Sequence, residues 1–471
     1  MFSTKEIAAA TGGRVIGTDT CRVSGISSDS RTVQSGELFV PLTGQHFDGH
    51  DFIADVVGNG IRVILANEKW IAGDDEVVPA AAEDIATLPL ADITIIAVSD
   101  TLRALGDLAA AWRQRFDIPV IGVTGSNGKT TTKEMLAAIL EQTGPGLKTE
   151  GNLNNLIGLP QMLFKLKTEH CWAVLEMGMS EPGEIDRLAE IAAPQVGIVL
   201  NAFPAHLESM GSVENVARAK GELLLRLPDK GWAVCNADDP LIASQPASEG
   251  VQRLSFGLGR ADARASGIDS FGIAGQRFTL HLPEWSRTIH LQAFGRHNIY
   301  NALAAAAAAY AIGVSPEIIR SGLEEFRPFD KRFRLELAGP LVLIDDSYNA
   351  NPASMKAALT TLAELKDKQQ AFVALGDMLE LGGNEADQHR QLGIEAAKVA
   401  TRLYLVGKLT AHTAEGAISA GMPPAEVVRA ASHTEIIEDI FTRAAEGDFV
   451  LVKGSRGMKM EKVAEGIRGH G

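Results

Sequence analysis

The octapeptide Thr124-Gly125-Ser126-Asn127-Gly128-Lys129-Thr130-Thr131 constrains this chain more than any other segment. It follows an apolar β-type run, residues 120–124, and precedes a helical pattern over 129–141. A glycine-rich turn between a strand and a helix directs backbone N–H groups and the positive end of the helix to one point, where phosphates bind. In the general form of this loop the lysine reaches the β- and γ-phosphates and the next hydroxyl holds magnesium, roles that fall here to Lys129 and Thr130. The general form also has a glycine five residues before Gly128. That position is Val123, so the loop is a shorter variant. The competing reading, a turn without a ligand, does not explain why strand, lysine and helix coincide.

The same alternation runs on. Apolar runs at 173–176 and 196–201 precede helical patterns at 181–191 and 213–227, which predicts a parallel sheet covered by helices. Residues 257–291 alternate instead as antiparallel strands do, predicting an added hairpin pair, and a helix over 299–312 closes the domain with Gly313 just past its end. Runs at 341–345, 371–376, 403–406 and 449–453, each followed by a helical pattern, predict a second doubly wound unit. The first ~84 residues carry shorter runs, 36–42 and 61–66, between Gly, Asp and Ser clusters, as small mixed α/β domains do. The acidic, alanine-rich stretch 73–91 reads as a boundary. The expected fold is therefore α/β in three domains, 1–84, 85–314 and 315–471, in keeping with a length of 471 residues.

A net charge of −15 argues against a nucleic-acid or anionic-membrane binder, which needs a basic face. The N-terminus offers Ser3 and Glu6 at capping-box spacing rather than a signal peptide. The alanine-rich run 302–314 falls short of the ~20 residues that span a bilayer, and predicts a helix against which a neighbour packs closely. Cys21, Cys171 and Cys235 lie far apart with no metal-type spacing, which fits packing residues in a reducing compartment.

Four further positions invite chemistry. Glu176 ends a β-type run, as a magnesium-facing carboxylate or a helix-capping one would. His206 follows the next strand in a Pro-containing loop, and taken singly reads as structural or exposed. Lys220 falls on the apolar stripe of Val213, Val216, Ala217, Leu224 and Leu227, so it either snorkels at the edge or is held inside. Ile344-Asp345-Asp346 imitates the strand-end aspartate of many ATPases, but so far from the loop that it implies a contact across a domain cleft.

Ordered motifs then cover nearly the whole chain: Ser28-Asp29-Ser30-Arg31, Asp48-Gly49-His50, the variant loop, Asn152-Leu153-Asn154-Asn155, Ala205-His206-Leu207-Glu208, Ala219-Lys220-Gly221-Glu222, Gly295-Arg296-His297-Asn298, Asp346-Ser347-Tyr348-Asn349-Ala350-Asn351, and Lys453-Gly454-Ser455-Arg456. In these the chain resembles the Mur ligase family of peptidoglycan synthesis. Its two Asn-rich segments are similar to the branch that adds D-alanyl-D-alanine to UDP-MurNAc-tripeptide. The resemblance implies an N-terminal uridine-nucleotide domain, a central P-loop ATPase domain and a C-terminal Rossmann-like domain for the acceptor. It implies a cytoplasmic, monomeric ATP-dependent amide-bond ligase that works through an acyl phosphate with two Mg²⁺ ions. By the same resemblance Lys129, His206 and Lys220 are catalytic, and Thr130, Glu176, His206 and a carbamylated Lys220 hold metal. ATP falls to Gly125, Ser126, Asn127, Gly128, Lys129, Thr130, Thr131, Asn298, Arg332 and Asp346. The UDP-substrate falls to Ser28, Asp29, Ser30, Arg31, Asp48, Gly49 and His50, and the acceptor dipeptide to Tyr348 and Asn349. Two other readings stand beside this one. A folylpolyglutamate-type ligase shares the loop but lacks a module like 28–52, and a nucleotide switch has no evident need of three substrate-sized modules.

Overall fold

The computed structural model describes residues 1–17, 21–44, 47–72, 92–204 and 207–470. The chain packs as two compact units, one of Met1–Val120, Gly146–Met177 and Asp186–Ala193, the other of Ile121–Pro145, Gly178–Ile185 and Pro194–Gly471.

The first unit opens on the helix Thr4–Thr11, started by the expected capping box: Ser3 Oγ accepts from the Glu6 amide and the Glu6 carboxylate accepts from the Ser3 amide. Its sheet runs in the order Arg14–Gly17, Thr94–Val98, Val63–Asn67, Leu38–Phe39, Ile26–Ser27, antiparallel at the first pair and parallel after it. Side chains alternate between its faces, so Leu65 and Ile96 enter one cluster while Ile64 and Ile95 enter another. The strand Thr94–Val98 thus belongs with the N-terminal strands, and the N-terminal module reaches past residue 84. The proposed boundary stretch itself, 73–91, lies outside the described residues. Of the run 36–42 only Leu38–Phe39 is strand. The strands Leu147–Lys148 and Ala173–Glu176 pair in parallel within the same unit.

In the second unit the strand Val120–Thr124, from Ile121 on, lies in parallel beside Val196–Val199, followed by Trp232–Asn236 and Gln252–Gly257. Antiparallel pairing among Ala263–Ser270, Gln276–Leu282 and Trp285–Leu291 supplies the hairpins expected over 257–291. The alanine-rich helix, Arg296–Ala311, starts a turn earlier than its pattern suggested because Gly295 caps it. Its alanines are buried, and it packs against the helix Lys129–Leu140 as small side chains allow. Gly313, at φ +82, follows it and donates its N–H to the Tyr310 carbonyl.

The C-terminal sheet has the order Arg334–Ala338, Leu341–Asp346, Phe449–Lys453, Ala371–Gly376, Arg402–Val406, Val427–Arg429, parallel but for its first pair. The helices Pro352–Leu365 and Glu385–Ala397 bury Met355, Leu359 and Leu392 on one face. His433–Arg443 and Glu461–His470 bury Ile436, Ile440, Val463 and Ile467 on the other. This is the expected doubly wound arrangement. The last strand, Phe449–Lys453, is inserted between the first two parallel ones and leads to the opposite face from both, so the loops at their carboxyl ends diverge and leave a crevice. Among the described residues no helix is long and apolar enough to cross a membrane.

Candidate active site

The fully buried strand Val120–Thr124 ends at a loop whose shape depends on Gly128. Its φ of +87 is left-handed, and a Cβ there would run into Asn301 Oδ1, so only glycine fits on both counts. The loop is held from outside by asparagine amides. Asn201 accepts from the Asn127 N–H at 2.9 Å and donates to the Asn127 carbonyl at 3.1 Å. Asn301 Oδ1 accepts from Thr132 Oγ1 and its amide donates to Asn298 Oδ1. Ser126 exchanges hydrogen bonds with the Phe203 backbone. Lys129 Nζ lies back on the Gly125 carbonyl at 2.8 Å, within the loop it would leave to meet a phosphate. Thr131 is half-buried beside it.

Two contacts tie this loop to the segment after the C-terminal strand Leu341–Asp346. The side-chain amides of Asn127 and Asn351 pair reciprocally, at 3.2 and 2.7 Å. Arg332 donates through Nη2 to Thr130 Oγ1 at 3.1 Å, while its guanidinium lies 3.7 Å from the centroid of the Tyr348 ring. A residue expected at phosphates and a residue expected at the acceptor therefore share one arginine.

The two adjacent aspartates part company. Asp345 is fully buried and accepts from Arg468 and Ser347, a structural anchor. Asp346 accepts from Lys453 Nζ at 2.6 Å and from the Phe333 N–H at 3.1 Å. Lys453, itself buried, also donates to the Asn349 carbonyl and so fixes the loop that carries Tyr348 and Asn349. Asn298 is buried with its amide on the Phe294 carbonyl. Beside them burial depresses the His297 imidazole to about 4; Lys453 adds to this and the Asp346 carboxylate opposes it. An unfolded histidine titrates near ~6.5, so between that pH and about 4 the unfolded chain binds more protons, and stability is lost as pH falls through this window. Thermal melts from pH 7.5 to 4.5 are expected to decline less steeply in His297→Gln than in the parent; equal slopes would contradict this.

Lys220 is only 4% exposed on the helix Val213–Leu225, which decides between the two sequence readings in favour of a lysine held inside. Burial first, and the charge of Lys129 second, hold its ammonium well below the ordinary lysine range. Its neutral amine is thus populated far more than that of a surface lysine.

In the first unit Glu176 is buried, its carboxylate accepting from Asn154 Nδ2 at 2.8 Å. Asp29 accepts from Nε and Nη2 of the Arg31 side chain and from the Arg31 backbone N–H, which lowers its carboxyl to about 2, and Arg31 itself is exposed. Ser28 accepts from Gln161, while Ser30 and Arg31 line a cleft of about 530 Å³ with Phe52 and Asn59. His50 is buried and Asp48 half-buried. Asp48 accepts from His50 Nδ1 at 2.6 Å, His50 Nε2 accepts from the Asn67 N–H, and Gly49 lies too close to the Leu42 backbone to carry a Cβ. His206 lies outside the described residues. Nothing local in the sequence marks Asn201, Asn301 and Asn351 for these contacts, because an asparagine's partner is set by tertiary placement. Of the three, Asn351 alone lies within one of the ordered motifs, Asp346 to Asn351.

Comparison with known proteins covers the same ground from another side. Residues 22–113 match the model of the Mur ligase family catalytic domain, 123–309 the Mur ligase middle domain, and 331–456 the Mur ligase glutamate ligase domain. The chain is 38% identical to the UDP-N-acetylmuramoyl-tripeptide–D-alanyl-D-alanine ligase of Escherichia coli, over 95% of this chain and 94% of that one. Its structure resembles that of MurF from Acinetobacter baumannii with a TM-score of 0.87 and 34% identity, covering 99% of each chain. It also resembles MurF from Thermotoga maritima in complex with ADP, with a TM-score of 0.81 and 28% identity over 95% and 97% of the chains. A folylpolyglutamate synthase of Mycobacterium tuberculosis shares the fold alone, at 16% identity and a TM-score of 0.60 over 78% and 94%.

Proposed function

The chain belongs to the Mur ligase family, and from that premise we propose that it joins D-alanyl-D-alanine to UDP-MurNAc-tripeptide with ATP, completing the UDP-MurNAc-pentapeptide precursor of peptidoglycan. The observation that carries this reading is the meeting of the phosphate loop with the loop 346–351 through Asn127 with Asn351 and Thr130 with Arg332 and Tyr348. A ligase has to bring a phosphate and an acceptor amine to one carbonyl, and this arrangement supports such a meeting.

In the proposed reaction an oxygen of the terminal tripeptide carboxylate attacks the γ-phosphorus of ATP, and ADP leaves. The neutral amine of D-Ala-D-Ala then attacks the acyl carbon, and phosphate departs from the tetrahedral intermediate. Lys129 leaves the Gly125 carbonyl and places its ammonium against the β- and γ-phosphates, while the loop amides and Arg332 take further oxygens. Asn298 serves adenine and Asp346 the nucleotide from the C-terminal side. Magnesium, when bound, offsets the charge gathered on the reacting oxygens. Among the described residues no three His, Cys, Asp or Glu side chains converge on a metal site. Thr130, at the start of the helix that follows the loop, would be the hydroxyl ligand of magnesium.

The neutral amine of Lys220 is the form that adds to CO₂, forming an N–C bond and releasing a proton. The carbamate would replace a poorly tolerated buried cation by an anion near Lys129 and offer magnesium an anionic ligand. Glu176 and His206 complete the magnesium ligands for two ions by family resemblance alone. We place the enzyme in the cytoplasm as a monomer without nucleic-acid partners. The test is product mass: UDP-MurNAc-pentapeptide should form only when ATP, the tripeptide and D-Ala-D-Ala are all present, and phosphate release that needs neither cosubstrate would overturn the reading.

A further inference from the structure

The acceptor carries a carboxylate at the end opposite its nucleophilic amine, and that charge needs a counterion in the bound state. Resting on the functional reading above, we propose that Arg456 receives this carboxylate, with Leu379 as the apolar wall beside it, in the crevice at the carboxyl ends of the C-terminal strands.

The placement follows from topology. Leu341–Asp346, Phe449–Lys453 and Ala371–Gly376 are neighbours, and the loop after the middle strand turns to the opposite face from the loops beside it. Ligands of open α/β sheets bind where loops diverge in this way. Asn349 comes from the first of these loops, Arg456 from the second and Leu379 from the third, and they touch: the Arg456 N–H donates to Asn349 Oδ1, and the Leu379 N–H donates to Ser455 Oγ.

Two neighbouring cations, Lys453 and Arg332, are committed. Lys453 is buried against Asp346 and the Asn349 carbonyl. Arg332 is spent on Thr130 and the Tyr348 face. The Arg456 side chain is 62% exposed, and among the described residues its guanidinium has one hydrogen-bonded partner, Glu461, through Nη1 at 3.1 Å. The second arm of its fork faces no partner there, and a planar fork is the geometry that a carboxylate accepts in two bonds. Leu379, 41% exposed, lies against Gly457 next to it and gives a methyl group an apolar surface.

Polarity agrees. The Tyr348 ring neighbours both arginines, its centroid 3.7 Å from the central carbon of Arg332 and 5.8 Å from that of Arg456. A dipeptide lying along the ring puts its amine on the Arg332 side, towards the phosphate loop, and its carboxylate at Arg456.

Steady-state kinetics of the full chain with D-Ala-D-Ala and with its C-terminal amide test this. The parent should prefer the free acid by about tenfold to a hundredfold, the worth of a charged hydrogen-bond pair. In Arg456→Gln the KM for D-Ala-D-Ala should rise by a similar factor, the KM values for ATP and UDP-MurNAc-tripeptide should stay unchanged, and the preference for the acid should vanish. A Gln variant that still rejects the amide overturns the proposal. If that variant does not ligate at all, Arg456→Lys decides: the preference shrinks if the fork binds the carboxylate and is unaltered if it does not. A parent enzyme that fails to ligate D-Ala-D-Ala sinks the functional reading instead.

Discussion

Lys129→Ala is expected to lower the rate of ligation by about a hundredfold to a thousandfold, the loss seen when one preorganised donor is taken from a developing charge. The ammonium has no structural substitute. It rests on the Gly125 carbonyl of its own loop, and Lys220, which feels its charge, is buried with its cationic form suppressed. Removing Lys129 also removes one of the two causes that depress Lys220, so part of the loss is indirect. Rapid-quench measurement of ADP formation in the first turnover checks the step concerned. A full burst of ADP with slow ligation would place Lys129 after phosphoryl transfer and contradict its assigned role.

Lys220→Met is expected to act in opposite directions on stability and on rate. With its folded pKa lowered below the unfolded value, Lys220 makes the unfolded chain the stronger proton binder from that depressed value up to ~10.4, so it weakens the fold at neutral pH. Methionine fills similar space without charge, and the melting temperature in CO₂-depleted buffer should rise. Ligation should fall by about a hundredfold to a thousandfold, because the anion proposed to form there is lost with the amine. The parent should regain rate on addition of bicarbonate and Lys220→Met should not. Loss of stability together with loss of rate would indicate that Lys220 is a packing residue.

What the sequence disclosed and what it withheld follow physical lines. The phosphate loop was legible because an apolar run, left-handed glycine and lysine are local requirements of one turn. The C-terminal strands were legible for a similar reason, since strands buried on both faces read as unbroken apolar runs. The N-terminal sheet was less so: strands as short as Leu38–Phe39 and Ile26–Ser27 are too brief for a period to show, and Thr94–Val98 lies beyond a stretch that composition marks as a boundary. Lys220 announced an anomaly by its place on a stripe, and the fold supplied the burial. The contrast between Asp345 and Asp346 was hidden, because Arg468 and Lys453 reach them from over a hundred residues away. The same holds for Asn127 and Asn351, which meet only once both loops are in place.

The central claim, that the tripeptide carboxylate is activated as an acyl phosphate, is tested most directly by isotope transfer. UDP-MurNAc-tripeptide labelled with ¹⁸O in its terminal carboxylate is ligated to D-Ala-D-Ala, and the released phosphate is analysed by mass. Attack of the carboxylate on phosphorus predicts one ¹⁸O in each phosphate released. Unlabelled phosphate alongside the pentapeptide would mean that the carboxylate never joined the phosphorus, and would contradict the account.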